Sequence, residues 1–209
     1  MRVLGLTGGI GMGKSTTAAM LERAGVRLFD ADAVVRALQA PHGRALPDIE
    51  NLVPGSVRDN VLDRGVLRRA ALSDPAVMRG LEKIIHPMVS AARRQFLQRA
   101  RRDGCRWVVL DIPLLFETGA ERLCDRVAVV SAPAPVQRAR VLRRGRMTPA
   151  QIDAVLARQM PDRLRRCKAD VIIETGLSRF NTVRQVRRLL RAMREDTPIA
   201  WAQARRKPA

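Results

Sequence analysis

Short apolar runs separated by longer stretches of helical spacing dominate the hydrophobic pattern of this chain. The runs are Arg2–Leu6, Val26–Asp30, Arg106–Pro113, Asp125–Pro133 and Lys168–Gly176. Such short runs between glycine, proline and charged residues are typical of buried strands. Helical spacing predicts a helix from Ser15 to Ala24 and a closing helix from Ser178 to Glu195. Strands that alternate with helices predict an α/β fold with a five-stranded parallel sheet flanked by helices.

Two long helical insertions interrupt this alternation. The first covers residues 31–102, where the pattern predicts no strand. Its helices are punctuated by Pro41, Pro54, Pro75 and Pro87. The second insertion covers residues 135–166 and is rich in Arg. Ligands of open α/β sheets bind beyond the carboxyl ends of the strands, and both insertions leave the sheet at that edge.

The charge of the chain points to an anionic partner. Its 209 residues include 39 Lys and Arg against 20 Asp and Glu, a formal net charge of +19. This excess suggests nucleic acid or a polyanionic small molecule. All but four of the basic residues are Arg, they are spread along the whole chain, and only 3% of residues are aromatic. A coding bias towards Arg explains that scatter, so we expect a small molecule and no nucleic acid.

Cysteine use and hydropathy indicate the compartment. The three cysteines, Cys105, Cys124 and Cys167, are far apart and form no C-x-x-C pair. Neither a disulfide framework nor a zinc site is therefore expected. No apolar run reaches the roughly 20 residues of a membrane helix, and no signal peptide is evident. We expect a cytoplasmic protein without a membrane partner.

The segment Gly8–Ser15 carries the most specific motif, because it fits G-x-x-x-x-G-K-[ST] in full between a strand and a helix. Glycines let backbone N–H groups turn towards phosphate oxygens, and the helix N-terminus points its dipole at the same phosphates. Lys14 is placed to reach the β- and γ-phosphates, and the Ser15 hydroxyl to bind Mg²⁺. A nucleoside triphosphate site follows.

Acidic residues end two of the apolar runs. Asp111 stands where the metal-binding acid of such sites lies, although a strand-end Asp also commonly caps a turn. Asp30 and Asp32 end the second run, and either could cap the next helix. A carboxylate at the tip of a strand beside the P-loop strand could instead take the proton of an acceptor hydroxyl, or orient it. Asp32 is the better candidate because Asp30 can serve as the cap.

The second insertion and one histidine complete the candidate residues. A crowd of arginines opens the insertion and continues on the next helix: Arg138, Arg140, Arg143, Arg144, Arg146 and Arg158. Such a run is usually a solvated face, but beside a triphosphate it could form a lid that neutralises the transferring phosphoryl group and excludes water. His86, at the edge of an apolar helix, is as often structural as functional.

Together these motifs resemble the dephospho-CoA kinase family over residues 1–195. The matching segments are LTGGIGMGKST, FDADAVVRAL, LEKIIHP, LDIPLLFE, VQRARVLRRGRMT, ARQM and KADVIIETG, in that order. The resemblance implies a P-loop kinase fold and ATP- and Mg²⁺-dependent phosphorylation of the ribose 3′-hydroxyl of dephospho-CoA, the last step of coenzyme A synthesis. It also implies a core of residues 1–30, 104–132 and 168–200, a helical CoA-binding domain at 31–103, a lid at 133–167 and a tail at 201–209. We expect a monomer or a weak homo-oligomer.

Carried over residue by residue, the resemblance assigns roles to the candidate positions. ATP would be bound by Gly8, Gly9, Ile10, Gly11, Met12, Gly13, Lys14, Ser15, Thr16 and Arg144. The catalytic residues would be Lys14, Arg140 and Asp32, and the metal ligands would be Ser15 and Asp111. The acceptor would lie near Thr7, Asp32, His86, Pro113, Leu114, Leu115, Glu117 and Arg158.

The chain departs from the family pattern at a few positions. Glu174 and Thr175 stand where an Asp-Asn pair is usual, which removes any adenine contact from an Asn side chain. Met12 replaces a frequent Ser, and Gly145 replaces an Asp that commonly follows the lid arginine. Three alternatives stay open: a related kinase of a nucleoside monophosphate or small metabolite, a P-loop ATPase or GTPase acting on nucleic acid, and a nucleotide-binding regulator without turnover.

Overall fold

The computed structural model of the protein describes residues 1–145, 147–197 and 201, except for the side chain of residue 158. Arg146, which the sequence places in the lid, and nearly all of the 201–209 tail lie outside the described residues. Two compact units are present, one formed by the described residues of 1–29 and 103–209 and the other by residues 30–102.

The elements follow one another in chain order. They are β1 (Arg2–Thr7), α1 (Lys14–Arg23), β2 (Arg27–Asp30), α2 (Ala31–Leu38), α3 (Leu46–Leu52), β3 (Val57–Arg58), β4 (Val61–Leu62), α4 (Arg64–Ser73), α5 (Pro75–Arg102), β5 (Trp107–Asp111), β6 (Arg126–Ser131), α6 (Ala134–Arg143), α7 (Pro149–Arg158), α8 (Asp162–Lys168), β7 (Val171–Glu174) and α9 (Arg179–Glu195). A 3₁₀ turn, Ala120–Leu123, lies between β5 and β6.

The main sheet has five strands in the order β2-β5-β1-β6-β7. The pairings of β1 with β5, β1 with β6 and β6 with β7 are parallel, so the predicted α/β class is confirmed. One expectation was wrong, because β2 does not neighbour the P-loop strand β1. Strand β5 lies between them and brings Asp111 into register with Leu6 of β1. The longer, fully buried β5 takes the interior place beside β1, and four-residue β2 takes the edge.

The core of the first unit lies on both faces of this sheet. On one face, Leu4 and Leu6 pack with Leu21 of α1 and Leu189 of α9 in a single buried cluster. On the other face, a smaller cluster includes Leu115, Phe116, Val127 and Val129. Because the strands are covered on both sides, they read as continuous apolar runs rather than alternating ones. Trp201, which the sequence places in the tail, is 2% exposed and its ring lies 5.3 Å from that of Trp107.

The second unit has its own buried cluster around Ile49, Leu62, Leu67 and Ile85. The expectation of no strand here was wrong, since β3 and β4 pair as an antiparallel hairpin. Its turn residues, Asp59 and Asn60, both have positive φ (49° and 59°), as a two-residue hairpin turn requires. Two-residue strands are too short to produce a recognisable alternation.

Pro87 does not punctuate the chain as the sequence suggests, because it lies inside the 28-residue helix α5. An interior proline removes one helical hydrogen bond and costs about 3 kcal/mol. Apolar residues on both sides of it, Ile85 before and Met88 and Val89 after, pack into the cluster of the second unit, and this burial offsets the loss. Within the described part of the chain, no helix combines the length and hydropathy needed to cross a membrane.

Candidate active site

The loop between β1 and α1 is held in a shape that only glycine permits at two positions. Gly11 has φ +75° and Gly13, the N-cap of α1, has φ +93°. The loop is also closely packed: a Cβ on Gly8 would lie 2.7 Å from the carbonyl oxygen of Val130 on β6. These contacts set the loop at the carboxyl edge of the sheet, with the N-terminus of α1 directly behind it.

Replacing Gly11 by alanine tests this packing. The new Cβ would lie 2.7 Å from Val141 Cγ2 and 2.8 Å from the Gln137 carbonyl oxygen, so the loop must move. We expect binding of a nonhydrolysable ATP analogue to weaken about tenfold or more, or about 1.4 kcal/mol, measured by calorimetry. Gly25→Ala is the matched control, since Gly25 has φ +83° and a Cβ there would meet nothing within 4 Å. It should lose stability but bind the analogue normally; equal affinity in both variants would contradict the packing argument.

Lys14 and Asp111 form a largely buried ion pair at the mouth of the loop. Lys14 Nζ donates to Asp111 Oδ1 at 2.6 Å, and the side chains are 14% and 5% exposed. Strand pairing positions the acid, because β5 lies beside β1. The strand order therefore brings the loop lysine and the strand-end acid together, while their roles towards phosphate and metal stay predictions.

The candidate metal ligands suit Mg²⁺. Ser15 is exposed in the first turn of α1, and Asp111 ends the neighbouring strand β5. A hydroxyl and a carboxylate are hard oxygen donors, and Mg²⁺ typically takes only one or two protein ligands while keeping water and substrate phosphate oxygens. Among the described residues no group of three or more His, Cys, Asp or Glu could form a richer metal site. The donor set therefore fits a nucleotide-bound Mg²⁺.

Thr175 is a site residue that sequence reasoning missed. Its hydroxyl donates to the Met12 carbonyl at 2.6 Å. Arg140 donates through Nη1 to the Thr175 hydroxyl at 2.9 Å and through Nη2 to the Thr175 carbonyl at 2.6 Å. The residue that replaces the usual Asn thus links the phosphate loop to the first lid helix. The departure from the family pattern was the available signal, but it gave no indication of these partners.

Arginines line a cavity of about 640 Å³ beside the loop. Gly11, Gly13, Ser15 and Thr16 are among the residues that line it. Its basic residues are Arg23, Arg140, Arg143, Arg144 and Arg179. This concentration of positive charge suits a triphosphate. Arg23 and Arg179 were not predicted, because they come from α1 and α9, far in sequence from the lid arginines.

The segment after β5 is hydrogen-bonded to the end of β1 and to the lid. Thr7 Oγ1 donates to the Pro113 carbonyl at 2.9 Å. Leu115 is fully buried in the core, whereas Leu114 is 43% exposed. Glu117 Oε1 accepts from the Met160 backbone N–H at 3.0 Å. Thr7 and the segment 113–117 thus lie in the first unit; the side chain of Arg158 is outside the described part.

Two further predicted residues, Asp32 and His86, belong to the second unit. Asp30 caps α2 by accepting from the Ala33 N–H at 2.8 Å, as expected, and pairs with Arg36. That leaves Asp32 exposed in the first turn of the helix. His86 is exposed in the middle of α5. Their roles towards an acceptor stay predictions.

Both halves of the lid supply contacts to the opening of the loop that the sequence did not reveal. Ile10 donates its N–H to Gln159 Oε1 at 3.2 Å, and its carbonyl accepts from Gln137 Nε2 at 2.8 Å. The Arg165 guanidinium of α8 lies against Gly9. Gln159 stands in the ARQM segment, whereas Arg165 had no motif to mark it.

Comparison with known proteins agrees with this geometry. The family model described as dephospho-CoA kinase matches residues 2–178. A dephospho-CoA kinase of Paramagnetospirillum magneticum is 58% identical over 162 residues, 78% of this chain and 76% of its own length. That of Gluconobacter oxydans is 49% identical, covering 93% of this chain and 99% of its own. A solved dephospho-CoA kinase from Campylobacter jejuni has the same fold, with a TM-score of 0.71 at 21% identity, over 93% of this chain and 98% of that one.

Proposed function

Because this chain belongs to the dephospho-CoA kinase family, we propose that it transfers the γ-phosphoryl group of ATP to the ribose 3′-hydroxyl of dephospho-CoA. The chain is a kinase that phosphorylates dephospho-CoA at the expense of ATP in coenzyme A biosynthesis. The observation that carries the finer proposal is the phosphate loop with Lys14 held at its mouth by Asp111. The roles of individual residues below form part of the proposal.

The donor is held by the loop and the arginines. Backbone N–H groups of Gly8–Ser15 and the N-terminus of α1 bind the phosphate oxygens, and Lys14 reaches the β- and γ-phosphates. Arg140 and Arg144 contribute positive charge from the wall of the same cavity. Ser15 and Asp111 would hold Mg²⁺, which when bound neutralises phosphate charge.

The acceptor is assigned to Asp32, His86 and the segment after β5, as the family resemblance implies. Asp32 holds the 3′-hydroxyl for in-line attack and takes its proton as the oxygen–phosphorus bond forms. ADP leaves as the bond between the γ-phosphorus and its bridging oxygen breaks. His86, Pro113, Leu114, Leu115, Glu117 and Arg158 would contact the rest of dephospho-CoA. The lid segment excludes water, which otherwise competes with the acceptor for the phosphoryl group.

The proposal also covers partners and compartment. It assigns a small-molecule substrate, with no nucleic acid and no membrane, to a monomeric or weakly associating protein in the cytoplasm. The concentration of arginines around a single cavity supports a small polyanion as the ligand, whereas the +19 net charge by itself also suits nucleic acid.

A panel of acceptors tests the substrate. Purified protein with ATP and Mg²⁺ is presented with dephospho-CoA, a nucleoside monophosphate, shikimate or gluconate, DNA or RNA, and ADP release is followed. We expect ADP release only when dephospho-CoA is the acceptor. Phosphorus NMR of the product should place the new phosphate on the 3′-oxygen. Faster turnover with a nucleoside monophosphate would contradict the assignment of dephospho-CoA as the acceptor. ATP hydrolysis that RNA stimulates and salt suppresses would contradict phosphoryl transfer as the reaction.

A further inference from the structure

Arg165 on α8 is a buried cation, and two of its three side-chain nitrogen atoms have no hydrogen-bond partner among the described residues. The residue is 3% exposed. Its Nε and Nη1 atoms are buried without a hydrogen-bond partner among the described residues. A guanidinium removed from water without hydrogen bonds costs several kcal/mol, so its position calls for a ligand that completes it.

The guanidinium is aimed at the phosphate loop. A Cβ on Gly9 would lie 2.7 Å from Nη2 and 3.0 Å from Nη1, so the planar group packs directly on the Gly9 backbone. Gln159 secures the adjoining residue by accepting the N–H of Ile10. Arg165 therefore faces the opening half of the loop, while the N-terminus of α1 serves the closing half. An Arg fork matches phosphate oxygens bidentately.

Arg166, the next residue on α8, differs from Arg165 because its guanidinium has hydrogen-bond partners within the protein. Arg166 donates to Ser131 Oγ at 3.0 Å and to Glu174 Oε1 at 2.7 Å. Asp162 uses its Oδ2 to accept from Ser131 Oγ at 2.6 Å, and Glu117 accepts from the Met160 N–H.

Burial lowers the pKa of Arg165, and the attraction of Asp162 and Glu117 opposes that shift. These carboxylates attract the guanidinium from a distance but leave its Nε and Nη1 donors unpaired.

Glu117 connects Arg165 with the segment assigned to the acceptor. It belongs to the Pro113–Glu117 segment assigned to the acceptor, which is joined to the strand before the loop by the bond from Thr7 to Pro113. Arg165 thus lies against the loop assigned to the donor and is attracted by a carboxylate of the segment assigned to the acceptor. In an in-line transfer the group between donor and acceptor is the γ-phosphoryl group.

We propose that Arg165 binds the γ-phosphoryl group of ATP through its Nε and Nη donors and stabilises the charge on its oxygens during transfer. The proposal rests on the proposed function, since it takes ATP to be bound on Gly8–Ser15. It adds a basic residue to the phosphate site that comes from the last lid helix, in addition to Lys14, Arg140 and Arg144. ADP, which has no γ-phosphate, should not engage Arg165.

The test compares Arg165→Met with Arg163→Met, an exposed arginine on the same helix. Thermal unfolding is followed without nucleotide, with ADP, and with a nonhydrolysable ATP analogue, all with Mg²⁺, and kcat and KM are measured with dephospho-CoA. In Arg165→Met we expect kcat to fall about 10- to 100-fold, as loss of one charge-assisted hydrogen bond predicts. The preference for the ATP analogue over ADP should fall about tenfold, while the Tm without nucleotide is unchanged or higher because an unpaired buried charge is gone.

A structural role gives a different pattern. It would lower the Tm without nucleotide and weaken ADP and the ATP analogue equally, and that result, or a kcat within about threefold of the parent, overturns the proposal. Arg163→Met should behave as the parent does. If Arg165→Met does not fold, the same comparison of the ATP analogue with ADP is made on Arg165→Lys. Lys keeps the positive charge but cannot form the bidentate hydrogen bonds of a guanidinium, so the preference for the ATP analogue should again fall. Lys14→Ala in the same assay distinguishes failure of the Arg165 proposal from failure of the proposed function. If Lys14→Ala also leaves kcat and nucleotide preference unchanged, the assignment of the loop to ATP phosphates is wrong, and not only the role of Arg165.

Discussion

Replacing Lys14 by alanine is expected to lower kcat for the phosphorylation of dephospho-CoA about 10³-fold or more. Lys14 is the one cation that the motif itself places on the β- and γ-phosphates, and its charge acts in a site 14% exposed, where screening by water is weak. ATP affinity should fall as well, because the loss removes a phosphate contact from the ground state. Steady-state kinetics with ADP detection, together with calorimetry of the ATP analogue, measure both effects.

A folding defect must be separated from this loss of chemistry. Breaking a buried ion pair by removing one partner costs about 3 kcal/mol, so Lys14→Ala should also lower the Tm. In the double variant Lys14→Ala, Asp111→Asn the buried charge is neutralised, and the Tm should recover while activity stays lost. Lys83→Ala, at an exposed position of α5, controls for the loss of a surface charge. A Lys14→Ala protein that keeps the parent rate would remove the phosphate assignment of the loop.

Replacing Asp32 by asparagine is expected to lower kcat about 10²-fold or more while the KM for ATP stays near that of the parent. The change keeps the shape of the side chain but removes the carboxylate that orients the acceptor hydroxyl and takes its proton. Asp32 is free to serve this role because Asp30 already caps α2. Initial rates at saturating ATP and varied dephospho-CoA measure the effect.

The control for Asp32 is another acid in an equivalent position. Asp48 is exposed in the first turn of α3, as Asp32 is in α2. Asp48→Asn removes the same favourable interaction with a helix N-terminus, worth about 0.3–1 kcal/mol, but lies outside the proposed mechanism. It should turn over normally. Full activity in Asp32→Asn would exclude Asp32 from the mechanism, and an equal loss in both variants would attribute the effect to stability.

Local patterns were sufficient for much of the fold. Apolar runs predict all five strands of the main sheet to within a few residues, because a buried parallel strand is apolar on both faces. The phosphate loop and its lysine could be predicted because the chemistry is contained in eight consecutive residues. The cap at Asp30 was predicted for the same reason, since an N-cap bonds to an N–H only three residues away.

Features that depend on tertiary packing, or on segments too short to form a pattern, were missed or predicted wrongly from the sequence. The order of the strands put β5, not β2, beside the P-loop strand. The β3–β4 hairpin was missed because each strand has two residues. Pro87 was taken as a break, although packing of the surrounding apolar residues maintains the helix through it.

By itself the sequence determined the phosphate donor: a loop of consecutive residues binds a triphosphate wherever such a strand, loop and helix occur. Only the tertiary structure decided what closes around that loop. Asp111, Thr175, Gln159 and Arg165 reach it from positions far along the chain, and the first two are separated from their loop partners by 97 and 163 residues. No periodicity or spacing encodes such contacts, because they arise where strand order and helix packing bring distant segments to one edge of the sheet.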